Sequence, residues 1–200
     1  MKLLHIDSSI LGQASVSRTL SADLVEVQRR AHPDIEVVYR DLAAKPLQHL
    51  SGAHLAAAQG ATPAEGLDFE ASLAALEEFL AADIIVIGAP MYNFTIPSQL
   101  KAWVDRVLVA GKTFRYGPTG VEGLLSNSKK VFIASSRGNV YAPGSPAAAL
   151  EHHESYLLGV LSFIGLTNVT VVRAEGLAFG PEAKTAAMAK ARESIAALVA

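Results

Sequence analysis

Short apolar runs bounded by turn residues alternate along this chain with stretches in which apolar residues recur every three to four positions. The first pattern is that of buried strands, the second that of helices with one apolar face. Strands are predicted over residues 2–7, 35–40, 83–88, 129–135 and 168–173. The run Ile84-Ile85-Val86-Ile87 has no polar alternation, so it reads as a strand covered on both faces. The first helix is predicted to begin at Ser17, its N-cap, to carry Leu20, Leu24 and Val27 on one face and to end before Pro33. A second spans 69–81 with Phe69, Leu73, Leu76 and Leu80, and a third follows Pro97, placed at N1, with Leu100, Trp103, Val104, Val107 and Leu108. A fourth runs from Pro146 with Leu150, Leu157, Val160, Leu161 and Ile164, and a last from Pro181 with Met188, Ile195, Leu198 and Val199. Residues 52–66, rich in Ala, Gly and Pro, read as a short helix and loop inside the second crossover. No repeat or linker divides the chain, so one α/β domain is expected over 1–200, a parallel sheet with helices on both faces. Right-handed crossovers restrict it to doubly wound orders, here 2-1-3-4-5.

Composition narrows the chemistry. The 200 residues weigh 21.0 kDa and are half hydrophobic and 18% charged, which argues against disorder. Seventeen Lys and Arg face nineteen Asp and Glu, for a net charge of -2, and this leaves no basic face for a nucleic-acid backbone. There is no Cys, which removes thiolate zinc sites, cysteine nucleophiles, disulfides and CxxC redox chemistry together; redox work would need a bound cofactor. The stretch 156–172 is broken by Gly159, Ser162, Gly165, Thr167 and Asn168, short of the roughly 20 apolar residues of a membrane span, and no membrane partner is expected. Asp7 interrupts the opening residues where a secretory signal would carry its apolar core, so a cytoplasmic location is expected. Mean hydropathy of +0.29 leaves apolar surface for a subunit interface, although Ala-rich helices raise that value. His49 and His54 are five apart rather than four, His5 falls in a strand, His152 reads as solvated and His153 as structural or interfacial, so no metal site is expected.

In a doubly wound sheet, ligands bind beyond the carboxyl ends of the strands at the switch point. That selects loops 8–17, 89–96 and 136–145. The first holds Ser8, Ser9, Ser15 and Ser17 and runs into a helix, whose unpaired N–H groups and positive end suit a phosphate monoester. A serine N-cap with a flexible serine loop explains the same residues. Its single Gly12 does not make the glycine triplet of a dinucleotide site, Arg106 breaks a P-loop pattern ending at Gly111-Lys112-Thr113, and no Gly-x-Ser-x-Gly occurs. The second loop, Pro90-Met91-Tyr92-Asn93-Phe94-Thr95-Ile96-Pro97, offers two aromatics, a thioether and an amide between prolines, a wall for a flat ring or an aromatic cap on a strand. In the third, Ser136, Gly138 and Asn139 offer close backbone approach and directional polar groups, as would a solvated turn. A phosphate cradle beside two ring-flanking loops describes a flavin mononucleotide better than a nucleoside triphosphate.

Ser9 with Ser15-Val16-Ser17, Pro90-Met91-Tyr92-Asn93-Phe94, Thr113-Phe114-Arg115-Tyr116, Ser136-Arg137-Gly138 and Ala174-Glu175-Gly176-Leu177-Ala178-Phe179-Gly180-Pro181 resemble, in content and order, the FMN-dependent NADH-azoreductases, which are flavodoxin-like quinone reductases. The likeness runs from Met1 to the C-terminus. It implies a flavodoxin-like fold and a homodimer with two active sites at its interface, each holding one non-covalent FMN. It also implies two-electron transfer in ping-pong order from NADH or NADPH to quinones, and reductive cleavage of azo compounds to aromatic amines. Carried over, Ser9, Ser15, Val16 and Ser17 bind the phosphate and ribityl end, while Met91, Tyr92, Asn93, Phe94, Ser136, Arg137, Gly138 and Asn139 line the isoalloxazine. The family usually has Gly where Asn139 stands, so a narrower or more polar gap above the ring is expected. Phe114 and Tyr116 match residues near the flavin, and Phe163 an aromatic that the partner subunit lends to the substrate pocket. Backbone N–H groups of the third loop are expected to face the reduced ring, and no side chain is required as acid or base. An FMN-binding electron carrier without turnover of its own is the alternative, though a charge of -2 offers little steering toward protein partners. A regulatory or chaperone-like FMN dimer is a third reading.

Overall fold

The computed structural model describes residues 1–199. In chain order the elements are β1 (Lys2–Asp7), α1 (Val16–Ala31), β2 (Glu36–Asp41), α2 (Gly52–Ala58), α3 (Phe69–Ala81), β3 (Ile84–Pro90), α4 (Ser98–Val107), β4 (Phe114–Gly117), β5 (Gly120–Gly123), β6 (Lys130–Ser136), α5 (Glu154–Phe163), β7 (Val169–Ala174) and α6 (Pro181–Ala196). Five strands pair in parallel in the order β2-β1-β3-β6-β7, while β4 and β5 form a separate antiparallel hairpin. Setting the hairpin aside, the sheet has the expected order, with the switch point between β1 and β3.

Alternation along each strand divides the core in two. Leu4, Ile6, Ile85, Ile87 and Ile133 face Phe79 of α3, Leu100 and Trp103 of α4, and Leu157 and Leu161 of α5. Leu3, Ile84, Val86, Phe132 and Val172 face Leu20 and Leu24 of α1 and Ala191 and Ile195 of α6. The central strand is buried at every position, which explains its unbroken apolar run. Among the described residues, no helix is long and apolar enough to cross a membrane.

The structure departs from the pattern-based expectation in four places. The fourth helix does not start at Pro146: residues 148–150 form only a 3-10 turn, and α5 begins at Glu154 because the Glu151 carboxylate accepts from the amides of His153, Glu154 and Ser155 at 2.9, 2.6 and 3.1 Å. Leu150 is consequently exposed rather than part of an apolar stripe. Ser15, not Ser17, caps α1, its hydroxyl accepting from the Arg18 amide at 3.3 Å, and Pro97 is the cap residue of α4 rather than its first turn. The hairpin has no long apolar run to announce it; it seats Gly123 against the backbone of Ile164 and Gly165, where any Cβ would overlap.

Candidate functional site

The three loops beyond β1, β3 and β6 are joined by hydrogen bonds in sequence. The Tyr92 hydroxyl meets Ser9 Oγ at 3.1 Å and accepts from the Ile10 amide at 3.2 Å, binding the first loop to the second. The Met91 amide donates to the Ser136 carbonyl at 2.8 Å, binding the second to the third.

In the first loop Ser9, Ser15 and Ser17 are buried and bracket the start of α1, with Ser15 Oγ and Ser17 Oγ 3.1 Å apart; Val16 between them packs on the core. This is a cluster of hydroxyls at the positive end of a sixteen-residue helix. Arg18 does not face water. It pairs with Asp41 through Nη1 at 2.8 Å and Nη2 at 2.7 Å, and its hydrogen bond holds the Asp41 carboxyl down at about 2. Beneath lies a polar group that sequence reasoning missed. Asp7, buried at the end of β1, accepts from Ser21 Oγ at 2.7 Å and from the Tyr39 hydroxyl at 3.0 Å, and Ser21 Oγ also meets His5 Nε2 at 2.9 Å. Gly88 makes room for it, since a Cβ there would collide with Asp7 Oδ1. The available signal was a carboxylate closing an apolar strand beside a glycine on the neighbouring one, paired across the sheet.

The second loop is a tight turn. Tyr92 and Thr95 exchange backbone hydrogen bonds of 2.9 and 3.2 Å around Asn93 and Phe94, both at positive φ, 48° and 74°. This is the pattern of a type I′ turn, which favours Asn followed by Gly, so Phe94 holds a conformation costing about 1–3 kcal/mol. The segment before α5 clamps it: the His152 amide donates to the Phe94 carbonyl at 3.1 Å and Thr95 Oγ1 to the His152 carbonyl at 2.9 Å. Met91 and Tyr92 are half-buried and Phe94 is 44% exposed, so an aromatic face is displayed by a rigid backbone. Among the described residues, neither the Asn93 nor the Phe94 amide donates a hydrogen bond.

In the third loop Ser136 is buried and Gly138 and Asn139 are exposed. Arg137 is 3% exposed, so its guanidinium is not on the surface of the site. It is ion-paired with Glu154, with Nε donating to Ser135 Oγ at 3.2 Å. Burial pushes the Glu154 carboxyl up, but hydrogen bonds from Arg173, Ser135 and Arg137 outweigh it and hold it at about 2. The Arg137 amide is committed to the Ala174 carbonyl at 2.9 Å, whereas among the described residues the Gly138 and Asn139 amides donate to nothing. Asn139 Oδ1 accepts from the Val140 amide at 2.7 Å, folding that side chain onto its own loop. His153, beside these residues, is fully buried with neither ring nitrogen hydrogen-bonded; burial, with the charge of Arg137, pushes it down to about 4, so it is neutral at pH 7.

Phe114, Tyr116 and Phe163 form one cluster, with ring centroids 4.9 Å apart for Phe114 and Phe163 and 5.5 Å for Phe114 and Tyr116. Phe114 is buried, while Tyr116 and Phe163 are 77% and 39% exposed. The cluster sits at the C-terminal end of α5, one helix length of roughly 15 Å from the turn clamped at its other end. Within one chain it does not join the three loops. A cavity of about 550 Å³ opens beside the turn, lined by Ile10, Tyr92, Asn93, Pro97, Gln99 and Tyr156 among others. A wider groove of about 750 Å³ between α1 and α6 receives no residue from any of the three loops.

Comparison with known proteins gives the family. A family model described as the flavodoxin-like fold matches residues 1–199. A protein of Methylorubrum populi called FMN-dependent NADH:quinone oxidoreductase is 59% identical over 201 residues, covering 99% of this chain and 98% of its own length. One from Pseudomonas aeruginosa, FMN-dependent NADH:quinone oxidoreductase 2, is 57% identical over 202 residues, covering 98% and 97%. The crystal structure of an azoreductase from Bacillus anthracis superposes with a TM-score of 0.86 at 31% identity, covering 100% of this chain and 98% of that one.

Proposed function

Because this chain belongs to the flavodoxin-like fold family, we propose that it acts as an FMN-dependent NADH:quinone oxidoreductase and azoreductase. The observation that carries this reading is the union of two kinds of donor at one sheet edge. Hydroxyls crowd the start of α1, and four uncommitted amides, those of Asn93, Phe94, Gly138 and Asn139, stand on the two neighbouring loops. That donor set fits a phosphate monoester attached to a flat, polar-edged ring, and the names of the relatives support FMN.

In this reading Ser9, Ser15 and Ser17, with the first amides of α1, hold the phosphate and the ribityl end, and Val16 sets their spacing by packing on the core. Met91, Tyr92, Asn93 and Phe94 lie along the ring, and the Gly138 and Asn139 amides donate to its edge, stabilising negative charge there without reorganisation. Ser136 contributes a buried hydroxyl. Arg137 serves through its backbone position, its guanidinium being spent on Glu154. When bound, FMN supplies two-electron chemistry between NADH and a quinone or azo acceptor. Donor and acceptor would use one opening in turn, the ping-pong order: a quinone would leave as the hydroquinone after one round, and an azo compound as two aromatic amines after two rounds, four electrons from two NADH with the protons completed from water. The aromatic cluster of Phe114, Tyr116 and Phe163 belongs to the site of the second copy in a homodimer, which would complete each substrate pocket across the interface with one FMN per subunit.

The experiment is direct. Purified protein reconstituted with FMN should oxidise NADH steadily when menadione or an azo dye is present. Retention of FMN without such turnover would leave an electron carrier instead, and failure to retain FMN would refute both.

A further inference from the structure

Arg18 follows the three cradle hydroxyls directly and is the cation nearest to them in the chain, so it is the obvious candidate to ligate the phosphate. Its five N–H groups say otherwise. Nε donates to the Ser9 carbonyl at 3.2 Å, and Nη2 to the same carbonyl at 2.8 Å and to Asp41 Oδ1 at 2.7 Å. Nη1 donates to Asp41 Oδ2 at 2.8 Å and to the Tyr39 hydroxyl at 3.0 Å. A guanidinium has five N–H donors in a fixed fork, and here every one is used inside the chain.

The partners close a circuit. The Tyr39 hydroxyl in turn donates a hydrogen bond to Asp7 Oδ2 at 3.0 Å, and Asp41 Oδ1 also accepts from the amides of Ala43 and Ala44 at 3.0 and 3.1 Å. The side chain of Arg18 is 16% exposed and that of Asp41 24%, so both charges are largely withdrawn from water and neutralise each other. What the fork holds toward the site is the Ser9 carbonyl, gripped twice, and through it the Ser9 hydroxyl that meets Tyr92.

We infer that Arg18 is a positioning residue of the phosphate cradle and not a ligand of the phosphate. It ties the first loop to the end of β2, and the anion is left to neutral hydroxyls, backbone amides and the positive end of α1. The inference rests on the proposed FMN reading and deepens it. It states that the preference for FMN over riboflavin comes from the shape of the Ser9 loop rather than from a free positive charge.

The test is fluorescence titration of the flavin-free full chain with FMN and, separately, with riboflavin, for wild type, Arg18→Lys and Asp41→Asn. Lysine keeps the charge but cannot hold the Ser9 carbonyl, Asp41 and Tyr39 together in one fork. In Arg18→Lys the FMN dissociation constant should rise tenfold or more while that of riboflavin stays within twofold. In Asp41→Asn, which loosens the anchor, FMN should also bind more weakly; a freed ligand of the phosphate would bind it more tightly. Wild-type FMN affinity in Arg18→Lys, tighter FMN binding in Asp41→Asn, or equal loss of both flavins in either variant overturns the inference. Wild-type protein that binds neither flavin overturns the FMN reading itself.

Discussion

Replacing Glu154 by Gln should be costly out of proportion to its size. The side chain is 6% exposed and answers both Arg137, itself 3% exposed, and Arg173. Gln keeps the shape and removes the charge, leaving the Arg137 guanidinium buried with Glu175 at 3.7 Å as its nearest acid. Removing one partner of a buried ion pair typically costs about 3–5 kcal/mol. The Glu154 carboxyl gives an independent figure: its drop from 4.5 to about 2 corresponds to roughly 3 kcal/mol at neutral pH. For a chain of this length that is a fall in melting temperature on the order of 10 °C. Because the folded value is depressed, the contribution is complete above pH 4.5 and fades as pH falls toward 2, so the gap between wild type and variant should narrow across that window. Urea unfolding followed by circular dichroism, at equal protein concentrations and at pH 7, 4 and 2.5, measures both. A double variant Arg137→Met with Glu154→Met should recover part of the loss, since two apolar groups leave no unpaired charge, and Arg173 is exposed enough to be hydrated. A gap under about 0.5 kcal/mol at pH 7, or one that does not narrow between pH 7 and 2.5, would refute this account of the pair.

Two further outcomes are expected. His153 is held neutral, with its value lowered from 6.5 to about 4, so the unfolded chain binds a proton first; stability complete above pH 6.5 should be lost as pH falls toward 4, by about 3 kcal/mol, and His153→Gln should flatten that slope in pH-dependent urea melts. Ser17→Ala should weaken FMN retention by roughly 1 kcal/mol or more through loss of one hydroxyl donor, read by equilibrium dialysis, with thermal stability of the flavin-free chain nearly unchanged.

The sheet order and both core faces were legible because burial on two sides demands apolar runs, as at Ile84 to Ile87, and because amphipathic helices show their period. Loop positions followed from topology alone. What the pattern hid depended on pairing across distant segments. Nothing local says that the helix waits for Glu151 and begins at Glu154 rather than at Pro146, because a capping carboxylate looks like any solvated acid until three amides point at it. Arg137 reads as a polar loop residue facing a ligand, yet its place is set by Glu154, seventeen positions later at the start of α5. The local sequence gives no sign of Arg18's partner either, because Asp41 lies at the end of β2, twenty-three positions later. The hairpin was invisible because its two four-residue strands gain their place from a glycine fit against α5 rather than from an apolar stripe.

The Asn93–Phe94 turn is fastened by its own cross-links and by the clamp from the segment before α5, all of them internal to the polypeptide. In the FMN reading proposed above, a ring arriving there would meet a wall that is already set, so little chain entropy would remain to be surrendered on docking. The conformational penalty at Phe94 would then be drawn from folding rather than from affinity.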